Sequence, residues 1–153
     1  MIIRKATVDD IDEIDKLFYE LDTDAIKMQP EHFQRGSRSF DYLSGLITDD
    51  KSDFLLAVTG GKIVGFSLLF EKAAPNLSLL VPCKFAYIQD FGVTETYRNK
   101  GIGAKLMEES KNWAKQRKLD YLRLSVLPNN KDAQRFYCRH GLEMQMLTME
   151  CPV

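Results

Sequence analysis

The stretch Tyr97-Arg98-Asn99-Lys100-Gly101-Ile102-Gly103-Ala104 follows the apolar run Ala86 to Val93 and opens a helical pattern that continues to Lys118. A strand, a short basic glycine loop and a helix N-terminus together form an anion cradle. The unpaired N–H groups of a first helical turn point outward, and the helix dipole adds partial positive charge there. Gly101 and Gly103 let phosphate oxygens approach the backbone with no Cβ in the way, and Arg98 and Lys100 bring formal charge. An ordinary strand-to-helix turn, its crowding relieved by two glycines, reads from the same residues. Two nucleotide motifs fail. In a P-loop the lysine follows the glycine, whereas Lys100 precedes Gly101. The dinucleotide fingerprint needs a third glycine where Leu106 stands.

At 153 residues the chain reads as one domain, 1–153, able to bury most of what its unfolded form exposes. A composition of 44% hydrophobic and 28% charged residues with net charge −1 gives no reason to expect nucleic acid as the main partner. No apolar run has the length of a membrane span, and Met1-Ile2-Ile3-Arg4-Lys5 lacks a signal-peptide pattern, so the expectation is a cytoplasmic protein. Cys83, Cys138 and Cys151 lack metal-ligand spacing and read as free thiols; with only His32 and His140 besides, no metal is expected. Charge is uneven. Residues 1–53 hold 13 acids and 7 bases, and residues 54–153 hold 9 acids and 14 bases. The basic part suits a polyanionic cofactor and the acidic part a cationic substrate, although solvated helix faces that happen to differ read equally well.

Along the chain, Ile2 to Ala6 reads as a strand, and Thr7-Val8-Asp9-Asp10 as a capping box. Ile11, Ile14, Leu17, Phe18 and Leu21 predict a first helix over Asp9 to Leu21, and Asp22 to Ser39 reads as irregular. Phe40, Leu43, Leu46 and Ile47 suggest a second helix. Phe54–Val58 and Ile63–Phe70 around Gly60-Gly61 predict a hairpin, because adjacent glycines supply the positive φ of a tight turn. Phe85 to Val93 is a strand in which Gly92 marks a bulge or a close approach. Ile102, Leu106, Ser110, Trp113 and Ala114 share one helix face; Tyr121 to Val126 alternates as a strand; Lys131 to His140 is a short helix stopped by Gly141; Leu142 to Met149 offers a last strand.

Arg98-x-x-Gly101-x-Gly103 resembles the acyl-CoA pyrophosphate loop of the GNAT superfamily of N-acetyltransferases. The resemblance deepens in Leu124-Ser125-Val126-Leu127-Pro128-Asn129-Asn130-Lys131-Asp132-Ala133-Gln134-Arg135-Phe136-Tyr137, ending at Gly141-Leu142. This is similar to the family's second signature: a strand, Asn-x-x-Ala, an aromatic-Tyr pair, then Gly-Phe, with Leu142 replacing the final phenylalanine. The two signatures occur in the family's order. The resemblance implies an α/β (α+β) GNAT-like domain with a mixed central sheet of six to seven strands, about four helices, and strands splayed around the CoA site. It implies acetyl-CoA as co-substrate, a small-molecule or protein amine as acceptor, and allows a homodimer.

Carried over by position, Arg98, Asn99, Lys100, Gly101, Ile102, Gly103 and Ala104 would hold the pyrophosphate, largely through backbone N–H groups. Phe91, Gly92 and Val93 would present main-chain groups to the pantetheine arm and thioester. Asn130 matches an asparagine that reaches the cofactor arm, and Tyr137 a catalytic tyrosine near the cofactor sulfur, placed to return a proton to the thiolate. Asn130 also reads as a helix N-cap and Tyr137 as a packed core ring. An amine with a pKa of about 10.4 must lose a proton before it attacks, at a cost of roughly 4.6 kcal/mol at pH 7. Some family members carry a glutamate base where this chain has Gln89, an amide that cannot accept the proton. Asp90 is adjacent, but strand alternation turns it to the opposite face unless a bulge intervenes. Tyr87 or a water chain are the other candidates, and the base stays unassigned at this point. The missing acid leaves room for a second reading, an acyl-CoA-binding sensor or interaction module with no turnover.

Overall fold

The computed structural model describes all 153 residues. Strand β1 (Ile2–Lys5) leads through a 3-10 turn at Val8–Asp10 into α1 (Ile11–Met28), followed by α2 (Phe40–Thr48). Strands β2 (Ser52–Thr59), β3 (Lys62–Ala73) and β4 (Lys84–Val93) come next, then α3 (Ile102–Gln116), β5 (Tyr121–Leu124) and α4 (Lys131–Arg139). The sheet runs β1-β2-β3-β4-β5 in sequence order. The first three pairings are antiparallel, and β4 with β5 is parallel. A parallel neighbour needs a crossover connection, and α3 supplies it. No helix is long and apolar enough to cross a membrane.

The sheet separates two cores. On one face Ile11, Ile14, Leu17 and Phe18 of α1 and Leu43 and Leu46 of α2 pack on Phe54, Leu56, Phe66 and Leu68. On the other, Ile102, Leu106, Met107, Trp113 and Ala114 of α3 pack on Leu55, Ala57, Leu69, Ala86 and Ile88. The stripes expected from 3.6-residue spacing are buried in α1 and α3, Ser110 included, with Leu21 half-buried, whereas in α2 Leu43 and Leu46 are buried and Phe40 is exposed. Gly60 and Gly61, at φ 55° and 77°, make the β2–β3 turn that their adjacency predicts.

The capping motif at Thr7 carries more than a helix start. The Asp10 carboxylate accepts from Thr7 N at 2.8 Å and takes both NH groups of Arg4, each at 2.8 Å. The Arg4 guanidinium holds the Asp10 carboxyl down at about 2. A lowered carboxyl pKa stabilises the fold above the ordinary carboxylate range and is lost as pH falls toward the folded value. Arg4 is more than a third exposed, so screening reduces the expected contribution to about 1–2 kcal/mol. Urea unfolding should show Asp10→Asn less stable by that amount at pH 7, with the gap closing by pH 2.

Three expectations change. The first helix runs past Leu21 to Met28 because nothing before Pro30 breaks it, and Leu21 and Ala25 continue its inner stripe toward a cleft. Strand β5 stops at Leu124, two residues before Val126. The last strand, Leu142–Met149, does not form, so the sheet has five strands and not six or seven. A period-two pattern becomes a strand only where a neighbour accepts its ladder bonds. Here Met144, Met146, Leu147 and Met149 are exposed, and the segment reaches back to the α1–α2 connection through a side-chain contact between Glu150 and His32.

Candidate active site

The ladder between β4 and β5 joins Phe85–Ile88 to Tyr121–Leu124 and ends there. Strand β4 continues to Val93 paired only with β3. Past Ile88 its other edge is therefore open, while Ser125 to Leu127 turn away toward α4. The opening is a cleft of about 590 Å³. Its walls are Leu21, Asp22 and Ala25 of α1, the connection from Phe33 to Arg38, Ile88 to Phe91 of β4, Leu124 to Leu127, and Asn130 and Tyr137.

At the end of β4 the chain makes a 3-10 turn, Glu95–Tyr97, and enters the basic glycine loop. Asn99 and Gly101 take left-handed backbone at φ 59° and 80°, and α3 starts at Ile102. Its first ladder bond is Lys105 N to Gly101 O at 3.1 Å. The N–H groups of Ile102, Gly103 and Ala104 precede that bond and are available to an anion. A Cβ on Gly101 would meet no atom within 4 Å, so the backbone there is open. Gly103 behaves differently: a Cβ there would lie 3.4 Å from the Phe136 ring, so this glycine lets α3 sit against α4. Gly92 likewise answers to the fold, because a Cβ would come within 2.8 Å of Leu21.

Arg98 turns back toward α1. Its Nε donates to Val93 O at 2.8 Å, and its NH2 lies 3.2 Å from Asp24 and 3.6 Å from Glu20. Glu20 also accepts from Thr94 Oγ1 and Glu95 N, both at 2.7 Å. Arg98 thus ties the loop to the C-terminal half of α1, leaving Lys100, above the Tyr97 ring, as the loop's free cation. Neither Glu20 nor Asp24 carried a sequence signal: Glu20 lies inside the expected first helix, off its apolar stripe, and Asp24 lies three residues past that helix's expected end.

Asn130 caps α4, accepting from Ala133 N at 3.2 Å, and also lines the cleft, so the two readings of it coexist. The Tyr137 ring packs edge-on against Phe91 and Phe136 at 6.1 and 5.6 Å. It too faces the cleft, and burial pushes its phenol up to about 12.

The bulge that alternation left open is present, at Gln89. Leu69 pairs with Ile88 and Leu68 with Asp90, so Gln89 has no opposite residue. Leu69 and Ile88 belong to the core on the α3 side, and Leu68 to the core under α1 and α2. The extra residue therefore reverses the alternation and turns Asp90 to the α1–α2 side of the sheet. Burial, with the Asp22 carboxylate adding to it and Arg38 opposing, pushes the Asp90 carboxyl up to about 6. Arg38 itself is a bidentate partner of Asp22, at 2.7 and 3.0 Å, and stacks 3.9 Å above Phe18. Asp22 and Arg38 were not foreseen from sequence, since they fall in the stretch read as irregular. Tyr87, a candidate base, pairs its hydroxyl with Ser125 Oγ at 3.0 Å.

Residues 10–142 match the model of the Acetyltransferase (GNAT) family. The chain belongs to the GNAT acetyltransferase family. It is 29% identical over 142 residues to an uncharacterized N-acetyltransferase of Archaeoglobus fulgidus, covering 93% of this chain and 92% of that one. A Bacillus halodurans protein, solved as a tetramutant, superposes with a TM-score of 0.94 at 31% identity, all of both chains being covered. An aminoglycoside acetyltransferase from a soil metagenome shares the fold, with a TM-score of 0.74 at 17% identity over 99% of this chain and 95% of that one. This GNAT chain therefore has the family's mixed sheet and four helices, with an opening where β4 and β5 part.

Proposed function

We propose that this GNAT chain transfers the acetyl group of acetyl-CoA to a primary amine by direct attack, with both substrates bound in the cleft. The observation that carries this reading is the open edge of β4 from Gln89 to Val93, between the free N–H groups opening α3 and the Tyr137 ring. The residues present fit such a donor. Lys100 and the N–H groups of Ile102 to Ala104 would hold the pyrophosphate, with room at Gly101 for oxygens to approach. The unpaired edge of β4 at Phe91 to Val93 would hydrogen-bond the amide-bearing arm as an added strand would. When bound, acetyl-CoA supplies an activated acyl group on a good leaving group. The acceptor would enter from the side of Asp22, Arg38, Asp90 and Phe33, where two carboxylates against one guanidinium leave a negative balance that favours a cationic amine.

Thiol release from acetyl-CoA, measured across a panel of small amines and lysine peptides, tests the proposal. Release that depends on the amine is the expected result. Acetyl-CoA binding with no release on any amine would favour the sensor reading.

A further inference from the structure

We propose that Asp90 takes the proton from the attacking amine, turned into the acceptor side of the cleft by the bulge at Gln89 and positioned beside the Asp22–Arg38 pair. The assignment rests on the acetyltransferase reading and adds the one group it lacked. At Gln89 this chain has an amide, and the extra residue in the strand delivers the next side chain, a carboxylate, to the face that regular alternation would give Gln89. Tyr87, the other side-chain candidate, is paired with Ser125, and Asp22, the second carboxylate lining the cleft, is held bidentately by Arg38. Arg38 is directed at Asp22 and makes no ion pair with Asp90, so the Asp90 carboxylate has no directly bound cation and keeps its lone pairs for a proton.

The groups facing Asp90 are Asp22 of α1 and Arg38 of the α1–α2 connection, with Tyr42 of α2 beyond Arg38 and Tyr137 on the cleft's other wall. Asp22 raises its proton affinity and Arg38 lowers it, while burial sets the level. The resulting midpoint of about 6 leaves Asp90 ionised yet basic at neutral pH, as a general base requires. The proton balance closes. An ammonium substrate passes one proton to Asp90 and on to solvent, freeing its lone pair. As the N–C bond forms and the C–S bond breaks, the second proton leaves nitrogen for Asp90. The sulfur leaves under a hydrogen bond from the Tyr137 hydroxyl and takes its proton from solvent. Ammonium and acetyl thioester become amide, thiol and one released proton.

The raised carboxyl also has a stability signature. A carboxyl that binds its proton more tightly folded than unfolded destabilises the fold above its folded midpoint. Asp90→Asn should therefore raise Tm at pH 7 while lowering kcat/KM at least tenfold and leaving acetyl-CoA affinity unchanged. The acid limb of the wild-type kcat/KM profile should coincide with the Asp90 midpoint read by carboxyl NMR titration of the free protein. Asp22→Asn should move both downward and Arg38→Gln both upward, and Asp90→Glu should restore part of the rate. If Asp90→Asn keeps both rate and limb, or if the limb stays in place in Asp22→Asn, Asp90 is not the base. A wild type that releases no thiol on any amine overturns the acetyltransferase reading, and this proposal with it.

Discussion

Replacing Tyr137 with Phe should lower turnover between about tenfold and a hundredfold while acetyl-CoA binds as before. The two outcomes separate because ring and hydroxyl do different things. The ring packs edge-on against both Phe91 and Phe136, and a phenylalanine ring packs there equally, so the cleft keeps its shape. The hydroxyl is the only atom lost. Burial holds its pKa at about 12, well above the thiol value of about 8.5, so complete transfer from the phenol to a thiolate would cost roughly 4.8 kcal/mol. A proton simply handed over, as the position of Tyr137 suggests from sequence, is therefore not the working description. The hydroxyl instead donates a hydrogen bond to the sulfur as charge develops there, and the proton follows from solvent. A hydrogen bond to a charged group contributes about 1.5–3 kcal/mol, which sets the expected range. Because the phenol stays protonated to high pH, the basic side of the pH–rate profile should be the same in wild type and variant. Steady-state thiol release and equilibrium titration of acetyl-CoA measure the two arms, and unchanged turnover would remove Tyr137 from the mechanism.

What sequence could reveal about this site followed from how local each feature is. The glycine loop and the stripe Ile102, Leu106, Ser110, Trp113 and Ala114 are set by neighbouring residues, and the structure reproduces both. The buried stripe of α1 was legible for the same reason, but its length was not. Asp22, Asp24 and Lys27 look like loop residues until the helix is seen to pass a cleft on one side and Arg98 on the other. The bulge was the least legible feature, since no glycine or proline stands at Ile88, Gln89 or Asp90 to announce it. Gly92 was the visible irregularity in that strand, yet it accommodates Leu21 and not a register change. The register shift is a property of the β3–β4 pair, visible only when Leu68 and Leu69 are matched to their partners. The tail after Gly141 shows the converse limit. Its alternation is real, but the pattern specifies a face and not a neighbour to pair with.

Replacing Gly101 with Glu should weaken acetyl-CoA binding at least a hundredfold, whereas Gly101→Ala should change it only a few-fold. The pair of variants isolates charge from shape. Gly101 has φ 80°, so both substitutions carry a left-handed strain of about 1 kcal/mol, which acts on folding stability in each variant alike. Neither Cβ meets an atom within 4 Å, so crowding within the protein contributes nothing. What differs is the carboxylate. Placed at the N-cap of α3, it would sit on the free N–H groups of Ile102 to Ala104, satisfying them and using the helix dipole that the pyrophosphate needs. It would also repel that anion. A like charge about 4 Å away at an effective dielectric of about 20 costs about 4 kcal/mol, close to a thousandfold in affinity, and two-thirds of that is still about a hundredfold. Lys100 cannot compensate, being a single cation on the exposed face of Tyr97, and Arg98 is held by Asp24 and Glu20. Calorimetric titration of folded Gly101→Ala and Gly101→Glu with acetyl-CoA measures the contrast. Equal affinity in the two variants would move the pyrophosphate away from the start of α3, and with it the donor side of the proposed reaction.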